Sequence, residues 1–166
     1  MRYYLLRKNV SFQVNKIIMK YFLITFIILF YSKVYSDDYI FDVTGEDIIN
    51  LELETTQGVK KILRHTEGNF TDNWGDYGKS VCIGDIDIDN NKKVTLDLMC
   101  ENTNQSDEKL WSILYRVNTE DDAAIGVIEY IDGTGKYKKL IGKKCNYAIK
   151  FYKKNTFFTK GICKLN

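Results

Sequence analysis

Asp85, Asp87 and Asp89 occupy alternate positions in CIGDIDIDNNKK, the spacing with which a calcium-binding loop begins. Carboxylates so placed could chelate a hard cation, but the rest of such a loop is missing. Counting Asp85 as first, its glycine position holds Asn90 and its bidentate acid position holds Leu96. In an extended chain, alternate side chains share one face about 6.6 Å apart, so the three carboxylates read as a solvated outer row. His65 is the only histidine. No Ser or Cys nucleophile accompanies it in sequence, and it reads as structural or solvent-facing. Glu129, in VIEYID, would serve proton transfer only if it faced inward, and alternation turns it outward. The inward positions hold aliphatic, aromatic, Gly, Thr or Cys residues, so no catalytic residue, metal or cofactor is assigned.

The four cysteines are the stronger signal. Cys82 and Cys100 enclose seventeen residues, and so do Cys145 and Cys163. Zinc sites and redox centres use close Cys-x2-Cys pairs, which are absent here. If residues whose numbers sum to 182 face one another in a hairpin, Cys82 meets Cys100. A second hairpin centred on Lys154 brings Cys145 to Cys163 in the same way. Of the three connectivities four cysteines allow, this hairpin pairing is the one expected. Each bridge would contribute about 3 kcal/mol by restricting the unfolded chain.

Period-two alternation supplies the elements that hold these residues. Cys82, Gly84, Ile86 and Ile88 share a face that continues, after a polar turn, through Val94, Leu96, Leu98 and Cys100. Further strands are expected with Trp111, Ile113, Tyr115 and Val117 on the apolar face, then Ala124, Gly126, Ile128 and Tyr130. Cys145, Tyr147, Ile149 and Phe151 pair with Phe157, Thr159, Gly161 and Cys163. Upstream, Ile49, Leu51 and Leu53 alternate with polar residues, 59–65 is a weaker strand, and Thr44–Asp47 could instead cap a short helix. Short strands with polar turns make an all-β protein, expected as an antiparallel barrel of about eight strands. Two loops stand out. NFTDNWGDYGK (69–79) sets Trp74 and Tyr77 among glycines and acids, as a pocket rim would; DGTGKYKKLIGKKC (132–145) is glycine-punctuated but does not match a phosphate loop.

Within that second loop, GTGKYKKLIGK (133–143) resembles the Gly-Thr-Gly-x-aromatic … Gly motif of allene-oxide-cyclase- and dirigent-like barrels and their small exported bacterial relatives. The resemblance covers about a dozen residues and the strand rhythm. It implies an eight-stranded antiparallel barrel with an apolar cavity. It transfers no catalytic or ligand residue, and the two cysteine pairs are additions to the pattern.

Residues 1–36 read as an export signal rather than part of the barrel. The apolar run YFLITFIILFY (21–31) follows Met19-Lys20 and precedes a small-residue site at Val34-Tyr35-Ser36. As a helix it would span only about 16 Å, too short for a bilayer core of about 30 Å, and the alternative reading is an uncleaved N-terminal anchor. The eighteen residues before Met19 are either a long leading region or lie upstream of the true start. Cleavage after Ser36 leaves a single barrel domain, 37–166, in the periplasm or outside the cell. Removing six basic residues takes the chain from 24 basic against 22 acidic to 18 against 22, a formal −4. Ten lysines and no carboxylate lie between Lys136 and Asn166. The sequons at Asn69 and Asn104 are expected to be silent in a bacterial host.

Three functions compete on this reading. A non-enzymatic carrier could enclose a small apolar ligand among Trp111, Tyr115, Tyr130, Tyr147, Phe151 and Phe157, with Trp74 and Tyr77 at the rim. An envelope-facing module could hold anionic lipid or polysaccharide through Lys136, Lys138, Lys139, Lys143 and Lys144, unless those lysines simply face acids from elsewhere in the chain. A cavity-shaped cyclase or isomerase follows from the family likeness alone. No nucleic-acid partner is assigned, and the membrane is met only through the signal segment before cleavage. Whether the barrel is hollow or filled decides among them.

Overall fold

The computed structural model describes residues 38–120, 123–153 and 155–165. The expected export signal lies outside the described residues, as does Lys154 at the centre of the second hairpin. Eight strands follow in order: β1 (Asp38–Glu54), β2 (Lys60–Asp72), β3 (Tyr77–Ile88), β4 (Val94–Asn104), β5 (Lys109–Thr119), β6 (Ala123–Gly133), β7 (Lys144–Tyr152) and β8 (Thr156–Lys164). A 3-10 helix, Gly135–Leu140, joins β6 to β7. Each strand pairs antiparallel with the next, and β8 returns to β1, closing the barrel without a crossover. Closure gives every strand a neighbour on both sides.

Four of the hairpins are closed by one turn chemistry. In 55–59, 72–76, 89–93 and 104–108 the first residue's N–H donates to the carbonyl of the fifth, at 2.9–3.0 Å. The fourth residue takes the left-handed conformation: Gly58, Gly75, Lys92 and Asp107. A three-residue loop of this kind needs its free N–H groups satisfied, and the first side chain does it. The Oδ1 atoms of Asp72, Asp89 and Asn104 each accept two backbone N–H groups at 2.8–2.9 Å. Thr55 Oγ1 accepts one, from Val59.

The β3–β4 register pairs residues whose numbers sum to 182, so Cys82 lies opposite Cys100. One residue beyond the Asn146–Ile162 pair of β7 and β8, Cys145 comes opposite Cys163. Both pairs are bonded, with Cα atoms 4.1 and 4.6 Å apart, close to the narrow antiparallel pair spacing of about 4.5 Å. The expected connectivity is present.

Aromatic residues fit inside eight strands because glycines face them. Around one interior ring, Gly126 lies opposite Tyr147, Tyr147 opposite Gly161, and Gly161 opposite Phe41. Gly45 lies opposite Phe157 in the next ring. A Cβ on Gly161 would stand 1.9 Å from Phe41 Cε1, and one on Gly126 would stand 2.5 Å from the Tyr147 ring. Gly161→Ala is therefore expected to tilt Phe41 off its seat and cost about 1–3 kcal/mol, read from urea denaturation. An unchanged midpoint would show that the ring has room to move.

The structure corrects four sequence expectations. Trp111 and Tyr115 face outward, while Leu110, Ser112 and Arg116 are buried inside. Both phases of LWSILYRV carry apolar residues, so alternation alone is ambiguous there. Cys100 lies opposite Ser112, which fixes the phase and puts Ser112 inside. On β1, a register shift between Asp47 and Ile49 turns the following residues over. Leu51 and Leu53 are therefore exposed on the outer wall. Thr44–Asp47 is continuous strand and not a helix cap. Finally, strands consume most of 69–79, leaving only 73–76 as turn, with Tyr77 exposed on the outside.

Candidate functional site

The strand ends nearest the 3-10 helix gather a polar and aromatic cluster. The β2–β3 turn supplies Asp72, Trp74 and Asp76; the β4–β5 turn supplies Asn104 and Gln105. The 3-10 helix drops Tyr137 and Leu140 into the barrel end, both fully buried. Tyr39 enters from β1 and Tyr130 from β6, and both are buried. Trp74 stacks on Tyr137 at 6.1 Å and packs against Tyr39 at 4.7 Å between ring centroids.

Asp76 is the hub, with 4% of its surface exposed. Its Oδ2 accepts the Tyr137 hydroxyl at 2.6 Å and the Asn104 amide at 3.0 Å. Its Oδ1 accepts Lys136 Nζ at 2.8 Å and Gln105 Nε2 at 2.9 Å. Asp72 Oδ2 accepts the Tyr39 hydroxyl at 3.3 Å and lies 3.2 Å from the Tyr137 oxygen, whose single proton points to Asp76 at the shorter distance. Burial acts to raise the Asp76 pKa, but the Lys136, Tyr137, Asn104 and Gln105 donors outweigh it and hold the carboxyl down at about 2. Burial, reinforced by negative neighbours, pushes the phenols of Tyr39, Tyr130 and Tyr137 well above their ordinary range.

At neutral pH the Asp76 carboxyl is therefore ionised and the phenols of Tyr39, Tyr130 and Tyr137 are protonated. Every Asp76 lone-pair direction is also taken. The cluster is a plug that seals the barrel end.

The interior behind the plug is packed by two side-chain clusters. One contains Tyr39, Phe41, Phe70, Tyr130, Tyr137, Tyr147 and Phe157. The other contains Ile62, Ile86, Val94, Leu96 and Leu98 around Cys82 and Cys100. A cavity between them, lined by Ser80, Asn102, Ser112, Thr159 and apolar neighbours, offers about 30 Å³ to a water-sized molecule. That suits one or two waters, and small-molecule sites run to roughly 300–1,000 Å³. Asn102 Oδ1 and Ser112 Oγ are buried there without a partner among the described residues, a need that water would meet. The volume is equally short of what a cyclase-type substrate would fill.

The remaining candidates are dispersed. Of the expected ligand-lining residues, Tyr130, Tyr147 and Phe157 are buried in the packed core and Phe151 is half-buried beside Phe157, at 6.1 Å between centroids. Burial pushes the Tyr147 phenol up to about 12, against a lowering influence from Arg116. Trp111 donates Nε1–H to Glu101 on the outer wall at 2.9 Å. Trp74 belongs to the plug and Tyr77 does not. Among the lysines, Lys136 is bound to Asp76, Lys143 reaches the Leu165 carbonyl at 3.1 Å, and Lys144 pairs with Glu129 at 3.0 Å. Lys138 and Lys139 stand exposed on the 3-10 helix. They do not converge on one anion site.

Asp85 and Asp87 point outward and share Lys61, at 2.8 and 3.1 Å, while Asp89 binds its own turn. Among the described residues no group of His, Cys, Asp and Glu could hold a metal ion. His65 lies on the outer wall with Nε2 3.6 Å from Glu67. The plug as a cluster was not among the sequence expectations, although Trp74, Tyr130 and Lys136 were named separately for other roles. Its sign was present in the turn chemistry: DNWGD and NQSDE share the same spacing of an Asp or Asn four residues before an acid.

The outer wall is divided by charge. On β3 and β4 one lysine, Lys79, stands against four carboxylates: Asp85, Asp87, Asp97 and Glu101. On β7 and β8 four lysines, Lys144, Lys150, Lys160 and Lys164, stand with no carboxylate. The two strand pairs lie four strands apart in an eight-stranded ring, and hence on opposite sides. Both sides also carry exposed apolar residues: Ile83 and Met99 on the acidic one, Phe158 and Ile162 on the basic one.

No protein-family model matches this chain, and no curated protein is significantly similar to it. The segment Gly133–Lys143 ends β6, forms the 3-10 helix and delivers Tyr137 to the plug.

Proposed function

We propose that the chain is an exported, non-enzymatic interaction protein that binds with the outer wall of its barrel, its basic side meeting an acidic partner. One observation carries the reading: the cavity inside offers about 30 Å³, a tenth or less of an ordinary ligand site of roughly 300 Å³ or more. Among the described residues the interior is packed and one end is plugged, which favours the outer wall as the area for binding. This moves the interaction away from the enclosed aromatics and from the scattered set Lys136, Lys138, Lys139, Lys143 and Lys144. It places the contact on Lys144, Lys150, Lys160 and Lys164, which share one side.

Export is supported by two independent features. Four cysteines are joined in two bridges, a state that persists in oxidising compartments. Residues 1–36 have the layout of a cleaved secretory signal. The periplasm or the cell exterior is then the place of work.

Native mass spectrometry of protein purified from its own host tests both parts. The expected species is an unliganded chain beginning at Asp37. A small apolar molecule retained in stoichiometric amount would return binding to the barrel interior or its mouth. A mass that still includes 21–36 would remove cleavage from the account.

A further inference from the structure

We infer that the acidic partner of the basic side is the opposite side of a second copy of this chain, so that the barrels associate head to tail. The inference rests on the outer-wall reading and names its partner. The acidic side presents Ile83 and Met99, directly opposed across β3 and β4, with Asp85, Asp97 and Glu101 beside them. Ile83 is 58% exposed and Met99 46%. The basic side presents Ile162 and Phe158, 46% and 51% exposed, beside Lys150, Lys160 and Lys164. An apolar centre rimmed by carboxylates meets an apolar centre rimmed by ammonium groups. Complementary rims fix orientation and speed encounter, while the centres supply buried apolar area.

Neither side is self-complementary, because each would set like charges against like. Pairing like sides across a two-fold axis is therefore disfavoured. The two sides lie across the barrel from each other, so they cannot meet within one chain. An interface between unlike sides leaves both ends of a dimer open, and it repeats into a ring or a filament. The intramolecular ion pairs on these sides do not oppose this. Lys61 with Asp85 and Asp87, Lys109 with Glu101 at 2.8 Å, Lys144 with Glu129 at 3.0 Å and Lys160 with Asp42 at 3.5 Å lie at the surface and are weak. Asp97 and Lys150 have no ionic partner among the described residues.

Two surface variants test the geometry. Ile83→Lys spoils only the acidic side, and Ile162→Glu spoils only the basic side. Both positions face outward, and unchanged far-ultraviolet dichroism and urea midpoints will show that each variant folds. Sedimentation velocity of the mature wild-type chain is expected to show species larger than a dimer at about 0.05 M salt, weakening about tenfold or more by about 0.5 M. Each variant alone is expected to be monomeric. Mixed, they are expected to form a one-to-one dimer and nothing longer, since one keeps its basic side and the other its acidic side. A mixture that stays monomeric, or variants that still assemble alone, would overturn the head-to-tail interface. A wild-type chain that is monomeric at low salt yet binds vesicles containing anionic phospholipid, or an anionic polysaccharide, would overturn self-assembly and leave the outer-wall reading standing.

Discussion

Replacing Asp76 with alanine is expected to lower the stability of the barrel by about 2–4 kcal/mol, the cost of depriving two buried neutral donors of their acceptor at about 1–3 kcal/mol each. The carboxylate accepts four side-chain donors, and two of them have nowhere else to go. The Tyr137 hydroxyl keeps only its longer contact with Asp72 at 3.2 Å, and the Asn104 amide only a contact with Glu108 at 3.4 Å. Lys136 is partly exposed and turns to water at little cost. The pH dependence follows from the same bonds. The Asp76 pKa is about 2 in the fold, below the 3.8 of an unperturbed Asp, so the group binds protons more readily when the chain is unfolded. Its contribution is fully present above about pH 4 and is lost as pH falls through 2. The difference of nearly two pKa units corresponds to about 2 kcal/mol. Urea denaturation at pH 7 and at pH 2.5 measures both quantities. The variant should show the large deficit at pH 7 and a smaller one in acid. A deficit under about 1 kcal/mol at pH 7 would mean that the plug does not hold the barrel end.

Breaking the disulfides is expected to have the larger total effect. Both bridges close loops of the same length, with partners 18 residues apart. Each is worth about 3 kcal/mol through the entropy of the unfolded chain, so together they contribute about 6 kcal/mol. That rivals the whole stability of many small domains, about 5–15 kcal/mol. Their distribution matters as well. Cys82–Cys100 ties β3 to β4 and Cys145–Cys163 ties β7 to β8, so the bridges sit on opposite sides of the ring. The paired substitutions Cys82→Ala/Cys100→Ala and Cys145→Ala/Cys163→Ala should each lower the unfolding free energy by about 3 kcal/mol. Reductant should produce the sum in the wild-type chain. Equal urea midpoints with and without a thiol reductant would reduce both bridges to bystanders.

The sequence carried most of the fold because the barrel's inner face is apolar along nearly every strand. Alternation located β3, β4, β6, β7 and β8 in the correct phase, and the equal cysteine spacings set the register of two hairpins. The failures share a cause. In LWSILYRV both faces carry large apolar side chains, so Trp111 and Tyr115 could be put inside when Ser112 and Arg116 belong there. At Asp47 a register shift inverts the phase of Leu51 and Leu53, and nothing in the local pattern announces it. The plug was illegible for another reason. Asp76, Asn104 and Lys136 are far apart in the chain, each is an ordinary turn or surface type, and only closure of the barrel brings them together. Filled or hollow was likewise a question of volumes, which depend on Gly161 facing Phe41 and Gly126 facing Tyr147 across strands. The division of charge was half visible. The run of lysines after Lys136 showed in the sequence, but its place across the ring from Asp85 and Asp97 did not.

The pairing of β8 with β1 also dictates an order of assembly. Nearly all other strand contacts join neighbours in the chain and can form as soon as a hairpin has emerged. The seam alone unites the two extremes, residue 38 with residue 164. Such distant contacts form late, because the loop they close has the highest entropy. A chain appearing N-terminus first must therefore hold β1 with one bare edge until synthesis or translocation is complete. Tyr39 and Phe41 wait with it, since their seats against Tyr130 and Gly161 exist only after the ring shuts. During that interval the chain is an open sheet, able to pair with another chain at either rim. Of all the strand pairings in the ring, the seam closes the longest loop and carries the highest entropic cost.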